Sequence, residues 1–286
     1  MSDRAYPIRT SESTTKKATG VLILTTFLLP LLLLTGVSTA QAATSISFTH
    51  AGHGKPGGGG GGSCTGGTTT QVTSTNWAGY AVQTCLNAPA SGVVNAVQGS
   101  WVQPSVSCAE GETSYSAFWV GIDGYSSSTV EQIGTDSDCS SGVATYYAWY
   151  EMYPKLPVNL ALSITPGNTI QASVHFIGSG KFVLTIQDLS NGQSYSTTQI
   201  SKKAVRSSAE WVTEAPSGGS VLPLADFGTV TFSGCTATLG TVTGPINDAA
   251  WENAQMTMTT SSNVVKASTS SLSSGGESFS NTWEHS

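Results

Sequence analysis

Charged side chains are scarce in this sequence. They make up 10% of it, against roughly 25% in an average globular chain. Basic ones are scarcer still, with 11 Lys and Arg among 286 residues and a net charge of −6. No basic cluster forms, which argues against a nucleic-acid partner. Histidine is nearly absent: His50, His53, His175 and His285 are the four. A Ser-His-Asp triad would have to use His175, which sits in a strand-like run with no GxSxG nucleophile motif. No HExxH occurs, no Asp-Ser-Gly or Asp-Thr-Gly signature occurs, and none of the five cysteines has the CxxC spacing of a zinc site. The expectation is therefore an absence of metal and of cofactor. Helix-period patterning is also lacking beyond the first 42 residues.

The one long apolar run spans 21–34. Lys16 and Lys17 precede it and Ala40-Gln41-Ala42 follows. A basic start, an apolar middle and a small-residue exit make a secretory signal peptide over 1–42. An exported protein follows, with no stable membrane association once the signal is cut. Residues 43–70, with the run Gly57 to Gly62, read as a Gly-rich linker or short propeptide, because glycine runs hold no fixed backbone cheaply. One domain is expected over 71–286. The signal holds four of the 11 basic and two of the 17 acidic groups, so the charge without it is −8. In strong acid the carboxylates protonate and few cations remain to repel one another. Export makes disulfides the default. Neighbour pairing predicts Cys64–Cys85 and Cys108–Cys139, with Cys235 free. Nothing demands more than a monomer.

Short runs rich in Val, Ile, Thr, Tyr and Trp recur between Gly, Asn, Asp, Ser and Pro, which predicts an all-β antiparallel sandwich or barrel. Strands are expected over 99–102, 115–122, 129–133, 145–153, 169–176, 182–188, 194–200, 209–213 and 229–233. Asn191-Gly192 and Ser179-Gly180 mark hairpin turns, and the Ser-rich stretch 268–274 reads as a loop or loosened tail. Side chains alternate faces along a strand. Phe118, Val120 and Ile122 thus read as core, opposite Trp119, Gly121 and Asp123. Gln132 falls with Val130 and Gly134; Trp149, Glu151 and Tyr153 share a face; so do Glu210, Val212 and Glu214. Faces that mix acids, an amide and large aromatics describe a groove for an extended polymer.

Five blocks stand in order along the chain: Asn76-Trp77-Ala78-Gly79-Tyr80, Trp119-Val120-Gly121-Ile122-Asp123-Gly124, Gln132-Ile133-Gly134, Ala148-Trp149-Tyr150-Glu151-Met152-Tyr153-Pro154 and Ala209-Glu210-Trp211-Val212-Thr213-Glu214. In these the chain resembles the glutamic peptidases, or eqolisins, best known from fungi, over roughly 74–270. The chain is expected to be a bacterial-type member. Tyr147 in place of an acid, a different cysteine pattern and a short leader depart from the fungal pattern, and with them the fungal pH optimum, activation route and subsites do not carry over. The resemblance implies a lectin-like (concanavalin A-like) sandwich of two bent sheets. It also implies a catalytic pair, Gln132 and Glu214, on the concave sheet, with Trp119, Asp123, Trp149, Glu151 and Tyr153 lining or supporting the site.

Peptide hydrolysis without metal or covalent nucleophile needs a base to activate water, a donor for the oxyanion and an acid for the leaving amine. A glutamate with a reference pKa of ~4.3 serves as base and then acid in an acid medium. A glutamine amide donates to the oxyanion without titrating. The expected function is thus a secreted acid endopeptidase acting on protein or peptide substrates. The competing class is a lectin-like glycan binder, or a glycosidase using Glu151 with Glu214. Gln132 separates the two, since only the peptidase needs an amide there.

Overall fold

The computed structural model describes residues 64–286, so the expected signal peptide and nearly all of the glycine-rich leader lie outside it. The described residues form strands and turns without a helix. In chain order the strands are β1 (Thr69–Ser74), β2 (Trp77–Gln83), β3 (Val94–Val102), β4 (Ala117–Ile122), β5 (Val130–Ser140), β6 (Val143–Tyr153), β7 (Val158–Asn159) and β8 (Thr169–Phe176). There follow β9 (Lys181–Asp188), β10 (Ser194–Ile200), β11 (Ala209–Glu214), β12 (Thr229–Leu239), β13 (Val242–Pro245), β14 (Glu252–Thr259), β15 (Val265–Thr269) and β16 (Phe279–Trp283). All pairings are antiparallel except β1 with β14.

The strands form two layers. The front runs β1-β14-β2-β11-β4-β5-β6-β7 and the back runs β10-β9-β8-β3-β12-β16-β15, with β13 on β12. The layers are continuous at one seam, where β14 meets β15 at Met258↔Ala267 and Thr259↔Val265. Between them lies the main core. Phe118, Val120, Ile133 and Trp211 of the front layer meet Trp101, Val174, Leu184 and Phe232 of the back. Strands with one wet face show period-two burial, as in β9, where Phe182, Leu184, Ile186 and Asp188 turn inward. The front strands β2, β4 and β11 are buried along their whole length on both faces, so two different apolar sets alternate along them.

The nine expected strands all appear. The 191–192 hairpin forms with Gly192 at φ 77° and its N–H on the Asp188 carbonyl. Ser179 and Gly180 both take positive φ in the turn between β8 and β9. The stretch expected as a loosened tail is corrected at its start. Ser268 and Thr269 belong to β15, paired to β14 on one side and β16 on the other, and only 270–278 is a loop. Both expected disulfides form, Cys64–Cys85 and Cys108–Cys139, and Cys235 is free and buried. The two longest connections, 103–116 and 215–228, bind one another: Ser107 N–H to the Asp226 carbonyl, Tyr115 N–H to Pro223, Ala225 N–H to Tyr115. No described helix is long and apolar enough to cross a membrane.

Candidate active site

The site is built on the front layer's face turned away from the core. Trp77, Trp119, Tyr125, Val130, Trp149 and Val212 pack there as a second apolar cluster. Strand register sets three rows across it. Glu210, Gly121, Gln132 and Glu151 form one; Val212, Trp119, Gly134 and Trp149 the next; Trp77, Glu214, Ala117, Asp136 and Tyr147 the third. Gln132 and Glu214 thus stand on the same face, two rows apart along the strands and separated by β4.

Trp119 lies in the row between them. Its indole Nε1 donates to Glu214 Oε2 at 2.8 Å. The six-membered ring at the other end lies over Gly121. A Cβ placed there would come within 2.9 Å of the Trp119 ring and 3.1 Å of Gln132 Cβ. Gly134 has no room either: a Cβ would stand 2.5 Å from Trp119 Cβ. The two glycines of the motifs are therefore where one indole fits between the amide and the carboxylate. Trp77 meets Trp119 edge-on, with ring centroids 4.9 Å apart.

Glu214 and Gln132 are each held by named neighbours. Asn76 Nδ2 donates to Glu214 Oε1 at 3.3 Å, so the carboxylate is held by one N–H on each oxygen. Gln132 Nε2 donates to Glu151 Oε2 at 2.9 Å, which orients the amide. Gln132, Glu151 and Glu214 are fully buried, a setting in which such bonds are stronger than in water.

The other expected residues do different things. Asp123 does not touch the pair. Its carboxylate accepts from the backbone N–H groups of Val205 and Arg206, both at 2.7 Å, and of Ser207 at 2.9 Å, with Ser207 Oγ at 3.2 Å. It anchors the segment that leads into β11, the strand carrying Glu214. Burial raises the Asp123 pKa, and these bonds pull it back down. Trp149 Nε1 donates to Asp136 Oδ1. Tyr153 is half-buried against the apolar cluster.

Three participants escaped the sequence reading as site residues: Asn76, Asp136 and Tyr147. The Tyr147 hydroxyl donates to Asp136 Oδ2 at 2.9 Å and lies 2.7 Å from Asp138 Oδ2. Burial, with the two carboxylates, drives its pKa far up. Two buried acids also stand out. Glu210 shares the row of Gln132, and its pKa is well above the ordinary carboxylate value, chiefly through burial. Glu131, on the opposite face beside Ile122, is pushed to about 8 by burial and then by Asp123.

The fold is an all-β two-layer arrangement whose front face carries a buried glutamate and glutamine among tryptophans. The sequence profile of the Peptidase A4 family matches residues 75–279, and the chain belongs to this family; it is a glutamic peptidase, a hydrolase of peptide bonds. Among its relatives, Aspergillopepsin-2 of Aspergillus niger is 31% identical over 218 residues, covering 68% of this chain and 75% of that one. Scytalidopepsin B of Scytalidium lignicola is 31% identical over 156 residues, 50% of this chain and 59% of its own length. Among solved structures, aspergilloglutamic peptidase from Aspergillus niger matches with a TM-score of 0.54 at 30% identity, covering 60% of this chain and 99% of that one. Scytalido-glutamic peptidase, solved with a peptide-based transition-state analogue, matches with a TM-score of 0.60 over 73% of this chain and 98% of its own. At 24% identity, that second likeness speaks for the fold alone.

Proposed function

We propose that this peptidase is a secreted endopeptidase working in acid, with Glu214 as general base and acid and Gln132 as oxyanion donor. The observation that carries the reading is the setting of Glu214. A buried carboxylate, fixed by Asn76 and Trp119, shares a sheet face with an amide that Glu151 fixes in turn. A base must be ionised and aimed to accept a proton, and two N–H donors favour both.

In the proposed cycle, water adds through its oxygen to the scissile carbonyl carbon and gives a proton to Glu214. The carbonyl oxygen becomes an oxyanion that Gln132 Nε2–H stabilises. The tetrahedral intermediate collapses, the C–N bond breaks, and the proton on Glu214 passes to the leaving amine. Glu214 ends ionised, as it began. Loss of one oxyanion donor typically costs ~10²–10³ in rate. The glycosidase alternative is weakened because Glu151 is engaged by Gln132 rather than facing Glu214 across an open gap.

The test uses the purified mature protein and an unfolded protein substrate between pH 2 and 7, beside Glu214→Gln and Gln132→Ala, with pepstatin and a chelator in parallel. Cleavage that peaks in acid, ignores both inhibitors and falls at least ~10²-fold in both variants is expected. Full activity in Glu214→Gln would remove the pair from the mechanism. A folded protein that cuts nothing at any pH, yet retains glycans, would favour the lectin-like reading.

A further inference from the structure

We propose that a cleft beside the Glu214 end of the front layer is a carboxylate-binding subsite, built around Lys266, that selects acidic side chains or a free C-terminus in the substrate. The proposal rests on the peptidase reading above.

The cleft has a volume of about 470 Å³. Val221, Leu222 and Pro223 of the 215–228 connection give it an apolar wall, and Thr75 and Thr259 add hydroxyl-bearing side chains. Lys266, from β15, is its cation. Three observations single this lysine out. It is only 6% exposed, although lysine is almost never buried unless paired. No carboxylate of the described residues answers it: burial alone acts on its pKa, and it acts downward. The C-terminal residues that bond the Lys266 main chain turn their acidic groups elsewhere. Glu284 turns its carboxylate to Ser268 Oγ at 2.8 Å, and the Ser286 main-chain oxygen, whose residue also lines the cleft, sits against His285 Nδ1.

The Lys266 stem is buried, while its ammonium is not fully enclosed and opens into the cleft, where a ligand carboxylate can pair with it. The apolar wall raises the value of such a contact by excluding water. Position makes the cleft relevant to cleavage. Thr75 precedes Asn76, which holds Glu214 Oε1. The 215–228 connection, which supplies 221–223, leaves β11 directly after Glu214, so both sides of the cleft are tied to the Glu214 end of the sheet. The described residues carry only six lysines and arginines: Lys155, Lys181, Lys202, Lys203, Arg206 and Lys266. One of them opening into this cleft therefore acts as a local specificity device rather than as part of a general basic field.

The experiment compares quenched-fluorescence peptides at pH 5, where Asp and Glu side chains are ionised. One set places Asp or Glu, then Asn or Gln, at each of four positions on either side of the scissile bond. A second set compares a free C-terminus with its amide. Wild type is expected to prefer the acid at one position by about tenfold in kcat/KM, the usual worth of a charge-assisted hydrogen bond. Lys266→Met should erase that preference and cleave the amide peptides within about twofold of wild type. Lys266→Arg should keep part of it. The set in which the preference appears identifies the source of the carboxylate. Equal rates on acid and amide peptides in wild type, or a preference that survives Lys266→Met, would overturn the subsite. If wild type cuts no peptide, the peptidase reading fails first. Calorimetric binding of the same acid and amide peptides to wild type and Lys266→Met then decides the subsite independently, with equal affinities counting against it.

Discussion

At the scale of single residues, the site is organised by one indole. Trp119 reaches Glu214 with its N–H and lies over Gly121, the strand neighbour of Gln132, with its ring. Trp119→Phe keeps a ring in that place and deletes only the donor. The expected result is a kcat about tenfold lower with KM nearly unchanged, because the lost bond fixes the base rather than the substrate. A variant with wild-type kcat would show that the carboxylate keeps its place without the indole N–H. Much of this was legible beforehand. Period-two alternation separated Trp119 from Phe118 and Val120, and the structure puts them in different clusters. Asn76, Asp136 and Tyr147 were not legible as partners. Their roles depend on which strands become neighbours, and alternation within a strand carries no information about that.

At the scale of elements, Asp123 is a clamp between β4 and the segment entering β11. Four donors from Val205, Arg206 and Ser207 converge on its two oxygens. Its φ of 73° is one that asparagine also tolerates. Asp123→Asn therefore tests the carboxylate without backbone strain. The substitution turns one acceptor into an NH₂ that faces backbone N–H donors. A loss of about 2–4 kcal/mol is expected, read as a fall in the denaturation midpoint. A midpoint matching wild type would mean that the segment holds its place without the charge. The β15 strand shows why some elements stayed hidden. Its sequence, VKAST, runs into a serine-rich stretch with no alternation to mark it. What makes it a strand is the ladder on both sides, from β14 and β16, residues remote in the sequence. The same concealment applied to Lys266, an unremarkable lysine until β15 is seen to bury it.

At the scale of the whole molecule, stability should depend on pH in one direction. Glu131 has its pKa raised to about 8 by burial and the nearby Asp123, from an ordinary 4.5. Glu210 is displaced in the same sense. An acid that binds its proton more tightly when folded stabilises the fold below its unfolded pKa. That contribution is lost as pH climbs from about 4.5 through 8. The combined loss is on the order of a few kcal/mol, or roughly 10 °C in the melting midpoint for a domain of this size. The midpoint at pH 4 is expected to exceed that at pH 8 by such an amount, and Glu131→Gln should shrink the gap. Equal midpoints at the two pH values would rule this out.

A peptidase is also the protein that its own copies meet most often. Cutting needs a segment free to lie extended in another molecule's cleft. The two longest connections, 103–116 and 215–228, are denied that freedom by the bonds between them and by the Cys108–Cys139 bridge. Those bonds are therefore expected to slow cutting of one copy by another. Resistance to self-digestion is expected to follow from bonds in two loops, one of which also walls the Lys266 cleft.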